Sequence, residues 1–152
     1  MRLRYVVDDS SPLGNPERSL DLATAPDYQL FFSCFMGDLE LVVGDADLST
    51  TFGGLATLGF AVGMVGVARR LMEKSHMSFL ESEDRIDLSV EGSRVRVSCT
   101  YRDGSGTVAR AELVPVVDGA LRELLDEQCA RYPGLAENPV LANALREVGF
   151  RR

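Results

Sequence analysis

The chain is organised around one uncharged stretch, residues 48–68, which reads LSTTFGGLATLGFAVGMVGVA. A basic cluster of two arginines, a lysine and a histidine follows it within residues 69–76. A stretch of 21 residues is long enough to cross a bilayer as a helix. However, nine of the 21 are glycine, serine or threonine, which makes the segment only weakly hydrophobic. We therefore predict a helix at residues 52–74 that lies inside a folded domain and not in a membrane.

The glycine spacing in that helix predicts how it packs. Gly59 and Gly63 are four residues apart and share one helix face, with Gly66 close by. Each interior glycine costs about 1 kcal/mol relative to alanine, so close approach by a neighbouring element is the natural compensation. We expect a β-sheet to cover this face. A homodimer joined through the same face is the weaker alternative.

Alternation of apolar and polar residues on both sides of the helix predicts antiparallel strands. The pattern covers residues 1–8, 38–43, 85–91, 94–101 and 107–114, more briefly 78–82, and an apolar run at 28–35 predicts a central strand. Residues 9–27 are rich in proline and turn residues and predict a loop. Two helices are expected afterwards, one opening at Pro115 and one capped by Asn138.

These elements together predict one α+β domain over residues 1–152. Its mostly antiparallel sheet, of about five to seven strands, is expected to pack on the central glycine-rich helix. Two C-terminal helices complete the expected fold. No separate linker or repeat divides the chain.

The net charge of −7 is concentrated in the first third of the chain. Residues 1–47 hold nine acids against three arginines, a net charge of −6. Such a field disfavours nucleic acid and favours a basic protein partner. Net charge also keeps a small domain in solution, so acidity alone does not require a partner.

Motifs for catalysis, cofactors and metals are missing from the sequence, and we expect no catalytic residues, no cofactor and no metal. It has no phosphate-binding glycine loop and no Gly-x-Ser-x-Gly motif. The single histidine, His76, is expected at a helix end or on the surface. Residues 45–47 open like a calcium loop, but Thr50 and Ala56 stand where glycine and glutamate are needed. Three cysteines without Cys-x-x-Cys spacing, and no signal-peptide pattern, predict a reduced, cytoplasmic protein.

Carboxylates form the candidate site. Acids two residues apart on a strand share one face. The candidate partner-binding residues are Asp38, Glu40, Asp45 and Asp47, with Glu81, Glu83 and Asp84 as a second cluster. A solvated sheet face is the simplest interpretation of these acids, and an acidic binding edge is the functional one. Acid–base chemistry in a pocket, with the loop at 9–27 as a lid, is the third.

The order of elements over residues 28–133 resembles a known family. It runs hairpin, helix, antiparallel meander and amphipathic helix ending in Tyr132-Pro133, and includes GDLELVVGD (37–45) and RIDLSVEGSRVRVS (85–98). This layout is similar to that of small bacterial immunity proteins that neutralise polymorphic toxins. The resemblance implies a non-catalytic, cofactor-free protein whose acidic face plugs the basic active-site cleft of a toxin. A small-molecule-binding protein or a carboxylate-based enzyme is the alternative.

Overall fold

The computed structural model describes residues 1–80 and 82–152. Within these ranges the chain folds into two antiparallel sheets of four strands each, together with α-helices and short 3-10 turns. The strands are β1 (Arg2–Val7), β2 (Met36–Val43), β3 (Ala46–Asp47), β4 (Leu55–Ala56), β5 (Lys74–Ser78), β6 (Arg85–Glu91), β7 (Arg94–Cys99) and β8 (Ser105–Ala109). The α-helices are α1 (Asp27–Phe32), α2 (Thr57–Arg69), α3 (Arg110–Arg131) and α4 (Pro139–Glu147).

The first sheet is built on β2, which pairs with β1 along one edge and with β3 and β4 along the other. The side chains of Leu39, Leu41 and Val43 alternate into the core, as period-2 spacing requires. Leu3 and Tyr5 of β1 join them on that face. The opposite face carries the charged residues, with Arg4 directly across from Glu40.

The second sheet is a meander in the order β5-β6-β7-β8. The predicted strands at 85–91 and 94–101 are confirmed, and Gly92 turns between them with φ +62°. Ile86, Leu88 and Val97 face the core. The two sheets meet where Gly106 of β8 passes the backbone of Val43, so closely that an added Cβ would lie 1.9 Å from the Val43 carbonyl oxygen.

Each glycine of α2 packs against a different residue. An added Cβ at Gly59 would lie 2.2 Å from the carbonyl oxygen of Phe31, and one at Gly63 would lie 2.4 Å from Cε of Met77. Gly66 faces Val148, just after α4. The predicted close packing is therefore confirmed, although only Gly63 meets a strand. This face is filled by the chain's own elements. On its other side α2 packs against α3, which also covers β1.

The predicted central strand at 28–35 is wrong, because its first part forms helix α1. A short apolar run fits a buried helix as well as a strand. The run ends at Phe35, which takes the left-handed conformation with φ +56°. Its carbonyl accepts hydrogen bonds from both the backbone and the hydroxyl of Thr57. These contacts turn the chain into β2. This strand pairs with β1 and not with a strand formed by residues 28–35.

The central helix is shorter than predicted at both ends. Ser49 and Thr50 do not cap it, because their hydroxyls accept hydrogen bonds from the backbone of Leu41 and Leu39 in β2. Gly53 then turns with φ +67°. At the other end the helix stops at Arg69 and the chain enters β5, so His76 lies exposed on a strand.

The C-terminal helices were predicted correctly in number but not in one boundary. Helix α3 starts at Arg110, within the predicted strand at 107–114, so Pro115 lies inside the helix and does not open it. Asn138 caps α4 as predicted, accepting from the backbone N–H groups of Val140 and Leu141. The same side chain donates to the carbonyls of Leu22 and Ala25, which anchors the 9–27 segment to the core. The described residues contain no helix with both the length and the apolarity needed to cross a membrane.

Candidate functional site

An apolar groove of about 400 Å³ opens where α1, the start of α2 and the end of β5 come together. Its wall includes the large apolar side chains of Phe32, Met36, Phe52, Phe60, Phe79 and Leu80. Asp84 supplies a carboxylate to the wall. Apolar walls with a few polar groups are typical of binding sites.

Three of the apolar side chains in the groove wall are half or more exposed to solvent. Phe32 is 50% exposed, Phe52 51% and Leu80 67%. Leu13, which packs beside Gly54, and Tyr28, one turn before Phe32 on α1, extend the exposed apolar surface. We call these five residues the apolar patch. Large exposed apolar surfaces are typical of interaction sites.

Aromatic contacts hold one wall of the groove in place. The rings of Phe60 and Phe79 are stacked with centroids 5.0 Å apart. Phe52 stands perpendicular to Phe79 at 5.7 Å, and Tyr101 packs against Phe79 at 5.4 Å. The Tyr101 hydroxyl donates to the carbonyl of Leu48 over 2.7 Å. Burial, followed by the neighbouring Cys99, raises the pKa of Tyr101 above its ordinary value, so this donor stays protonated.

Asp84 is fixed by hydroxyl groups. Its Oδ1 accepts from the Thr100 hydroxyl at 2.9 Å, and its Oδ2 accepts from the Ser82 hydroxyl at 3.3 Å. Thr100 in turn accepts from the backbone N–H of Arg85. Arg85 itself pairs with Asp87, and none of the ion pairs formed by the described residues includes Asp84.

The acids of the first predicted cluster are spread along the first sheet, with Asp38 and Glu40 on β2 and Asp47 on β3 opposite Val42. Asp38 accepts from the Thr50 hydroxyl at 2.9 Å and from the Gly53 backbone at 3.1 Å. Glu40 lies opposite Arg4, and Asp45 is exposed in the turn before β3. This cluster therefore shares its surface with cations and with its own loop donors.

Asp47 illustrates how those contacts act. Its carboxylate accepts from the Ser49 backbone at 3.0 Å and approaches Arg102 at 3.8 Å. The hydrogen bonds from Ser49, followed by the charges of Arg102 and Arg2, hold the pKa of Asp47 below its ordinary value. The ionised form is thus already stabilised within the protein.

The second predicted cluster is divided. Glu81 lies outside the described residues. Glu83 is exposed, whereas Asp84 enters the groove. Asp38 of the first cluster is not among the groove-lining residues, although its donor Gly53 lies between the wall residues Phe52 and Gly54 in the sequence. Of the predicted acids that the structure describes, Asp84 is the one that lines the groove.

The apolar half of this site was missed from the sequence. The signals were present in the aromatic run at 28–35, in Phe52 and in the pair Phe79-Leu80. These segments mix buried side chains such as Phe79 with exposed ones such as Phe32, Phe52 and Leu80, and the sequence alone does not separate the two. A central strand at 28–35, as the sequence predicts, would not expose Tyr28 and Phe32 as helix α1 does.

Other titratable groups serve the fold. Glu17 is 3% exposed and accepts from the Phe35 backbone at 3.3 Å. Burial, with the Glu17 charge added, raises the pKa of the Cys34 thiol to about 11, which makes that thiol unreactive. No three His, Cys, Asp or Glu side chains converge as metal ligands in the described ranges. No protein-family model, characterised protein or solved structure is significantly similar to this chain.

Proposed function

We propose that this chain is a non-catalytic binding protein that occludes a basic surface of a protein partner. The type of activity is that of the bacterial immunity proteins its layout resembles, with a toxin domain as the partner. One observation carries the proposal, namely that an apolar groove with exposed aromatic walls has the acid Asp84 in its lining, next in sequence to the exposed Glu83.

The apolar patch supplies the centre of the proposed contact. Protein interfaces draw most of their binding energy from a few large side chains near the middle, which neighbouring contacts shield from water. Phe52 and Leu80 are positioned for this, since each is half or more exposed beside a preformed cavity. Phe52 is also held by its contact with Phe79, so little side-chain entropy would be lost on binding.

The carboxylates supply the rim. Asp45 and Glu83 are exposed, and the chain as a whole carries a charge of −7. Charges at a rim accelerate the association of an oppositely charged partner more than they increase final affinity. Because exposed charges are screened within about 10 Å at 0.1 M salt, the association rate should fall as salt is added.

The setting we propose is a reducing cytoplasm. All three thiols, Cys34, Cys99 and Cys129, are free in the fold. Free, at least half-buried thiols are ordinary for proteins kept reduced inside a cell.

The test compares two exposed apolar residues of equal accessibility. Leu80 is 67% exposed and lies in the groove wall, whereas Met72 is 69% exposed and does not line the groove. Proteins captured from the native host by the wild-type chain are identified, purified and measured again as pure pairs. We expect a basic partner whose affinity falls about tenfold with Leu80→Ser and is unchanged with Met72→Ser. An acidic partner, or equal effects of the two variants, would contradict the proposal.

A small-molecule ligand is the second candidate, favoured by the groove volume of about 400 Å³, which is within the range of ligand pockets. The two candidates differ in how much of the apolar patch is covered. A protein partner should also lose affinity with Leu13→Ser and Tyr28→Ser, because both residues lie beyond the groove wall. A small ligand should be indifferent to both substitutions.

A further inference from the structure

We infer that the groove is an arginine-binding site, in which a guanidinium group of the partner meets Asp84 while its aliphatic stem lies against Phe52 and Phe79. The inference rests on the proposed function and names the chemistry that the partner must bring. It combines the carboxylate of the wall, the orientation of the aromatic rings and the cost of excluding water.

The carboxylate of Asp84 has acceptor capacity to spare. Each oxygen accepts one hydroxyl hydrogen bond, from Thr100 or from Ser82. An ionised carboxylate offers about four lone-pair sites, so one site on each oxygen is left for a bidentate donor. The two hydroxyl contacts also fix the plane of the carboxylate, which is the requirement for paired N–H···O bonds to a guanidinium.

Closing the groove makes a cation necessary. Any segment that covers the apolar walls also removes water from Asp84. An ionised carboxylate left without a cation in an apolar setting is strongly unfavourable. An apolar side chain that filled the groove would therefore leave the Asp84 carboxylate buried without a cation. An arginine would contact the apolar walls with its stem and pair with the carboxylate through its guanidinium group.

The aromatic walls fit the stem and the planar head of arginine. Arginine buries its methylene groups along apolar surfaces, and its guanidinium lies over aromatic rings within about 6 Å. The protein uses this contact twice in its own fold, with Arg122 5.2 Å from the ring centre of Phe150 and Arg131 5.7 Å from that of Tyr132. Phe52 is half exposed and perpendicular to Phe79, so it presents ring surface to the groove.

Lysine is the poorer fit. Its ammonium group is compact and strongly hydrated, and it cannot pair with both carboxylate oxygens in one plane. Guanidinium is more weakly hydrated, so moving it into an apolar groove costs less. We therefore expect the site to prefer guanidinium over ammonium on stems of equal length.

The test needs no partner and uses the full chain. The protein is titrated with n-butylguanidinium, n-butylammonium and the neutral near-isostere n-butylurea, and the amide shifts of residues around Phe52, Leu80 and Asp84 are followed by NMR. We expect n-butylguanidinium to bind about tenfold more tightly than n-butylurea, the usual ratio for adding a charged hydrogen-bond partner. The ammonium probe should fall between them.

Two variants that each remove one negative charge give the control. Asp84→Asn keeps an acceptor for Thr100 and should abolish the preference for guanidinium over urea. Glu83→Gln, at the exposed neighbouring position, should leave that preference intact. Equal loss in the two variants would show attraction by net charge only and overturn the inference, as would tighter binding of the ammonium probe or equal binding of guanidinium and urea.

The outcome is separable from that of the proposed function. If the probes show no guanidinium preference while Leu80→Ser still weakens the partner, the groove binds a partner by apolar contact and the arginine site is wrong. If the preference and its loss in Asp84→Asn are found while no basic partner depends on Leu80, the arginine site holds and the proposed function fails.

Discussion

The two acidic regions of this protein differ in what their carboxylates already bind. On the first sheet, Asp38 accepts from Thr50 and Gly53, and Asp47 accepts from Ser49 and approaches Arg102. In the groove, Asp84 is held by two hydroxyls and lies among aromatic side chains. The first region uses its acids to fold the loop at 48–54, whereas the second leaves a fixed charge facing an open apolar surface.

This difference shows that acid density is a weak guide to a binding site. Both regions have acids at close spacing in the sequence. A carboxylate that already lies near an arginine gains little from a further cation, while one in an apolar groove gains much once water is excluded. The informative quantity is the donor and cation content around each carboxylate, and that depends on tertiary contacts.

The largest effect is expected from a pair of substitutions on the first sheet. One removes a carboxylate that accepts hydrogen bonds from the loop, and the other removes an exposed carboxylate. Asp38→Ala deletes the acceptor for the Thr50 hydroxyl and the Gly53 backbone, so we expect a loss of about 3 kcal/mol in the free energy of unfolding. Asp45→Ala, at an exposed turn position, should leave stability nearly unchanged. Urea unfolding of the two variants measures both.

A small effect of Asp38→Ala would mean that the acids of the first sheet are as available to a partner as Asp84 is. The large effect that we expect for Asp38→Ala bears on experimental design. A charge reversal at all four predicted acids cannot be interpreted as a pure binding defect, because Asp38 supports the loop that carries Phe52.

The second comparison concerns the groove region. At Gly59 an added Cβ would lie 2.2 Å from the Phe31 carbonyl oxygen, while at Gly119 of α3 it would meet no atom within 4 Å. Overpacking at Gly59 costs about 3 kcal/mol, less about 1 kcal/mol of helix propensity, so Gly59→Ala should destabilise by about 2 kcal/mol. Gly119→Ala should stabilise by up to about 1 kcal/mol.

Thermal or urea unfolding of the two glycine variants decides the point. Opposite signs are expected, because the helix gain is common to both and only Gly59 has backbone against it. If Gly59→Ala is as stable as the wild type, α1 is not seated on α2 and the groove wall at Phe32 is not preformed.

Most strands were predictable from the sequence because one face of each strand packs on the core and the other faces water. Leu39, Leu41 and Val43 alternate with polar residues, and a half-buried strand leaves that period in the sequence. The cap at Asn138 was also predictable, since an Asn-Pro pair matches both the cap and the first helical position.

The helix at 27–32 and the groove were not predictable for a common reason. A continuous apolar run carries no period that separates strand from helix, and nothing local shows that Phe32 would be exposed. What decides the outcome is the turn at Phe35, held by Thr57 and by Glu17 from distant parts of the chain. Asp84 was named from its acidic neighbours, but its aromatic surroundings come from residues 32, 52 and 79, which are far apart in sequence.

The smallest effect we expect is a pH dependence that distinguishes hydrogen bonding from ion pairing at Asp47. Because its pKa is held below the ordinary value, the folded state favours the ionised carboxylate. Asp47 therefore stabilises the protein above the ordinary aspartate pKa of about 3.9, and this contribution is lost as pH falls through the folded-state pKa. The stability difference between wild type and Asp47→Asn should be largest near neutral pH and vanish in acid.

Arg102→Gln identifies the source of that difference. The Ser49 hydrogen bonds are the larger cause of the lowered pKa, and the Arg102 charge is the smaller one. Urea unfolding between pH 3 and pH 7 should therefore show that Arg102→Gln retains most of the pH dependence and that added salt changes it little, because screening acts on exposed charge pairs more than on hydrogen bonds. If Arg102→Gln abolishes the dependence, Asp47 is held by an ion pair that an incoming basic partner could replace, and the contrast with Asp84 becomes one of degree.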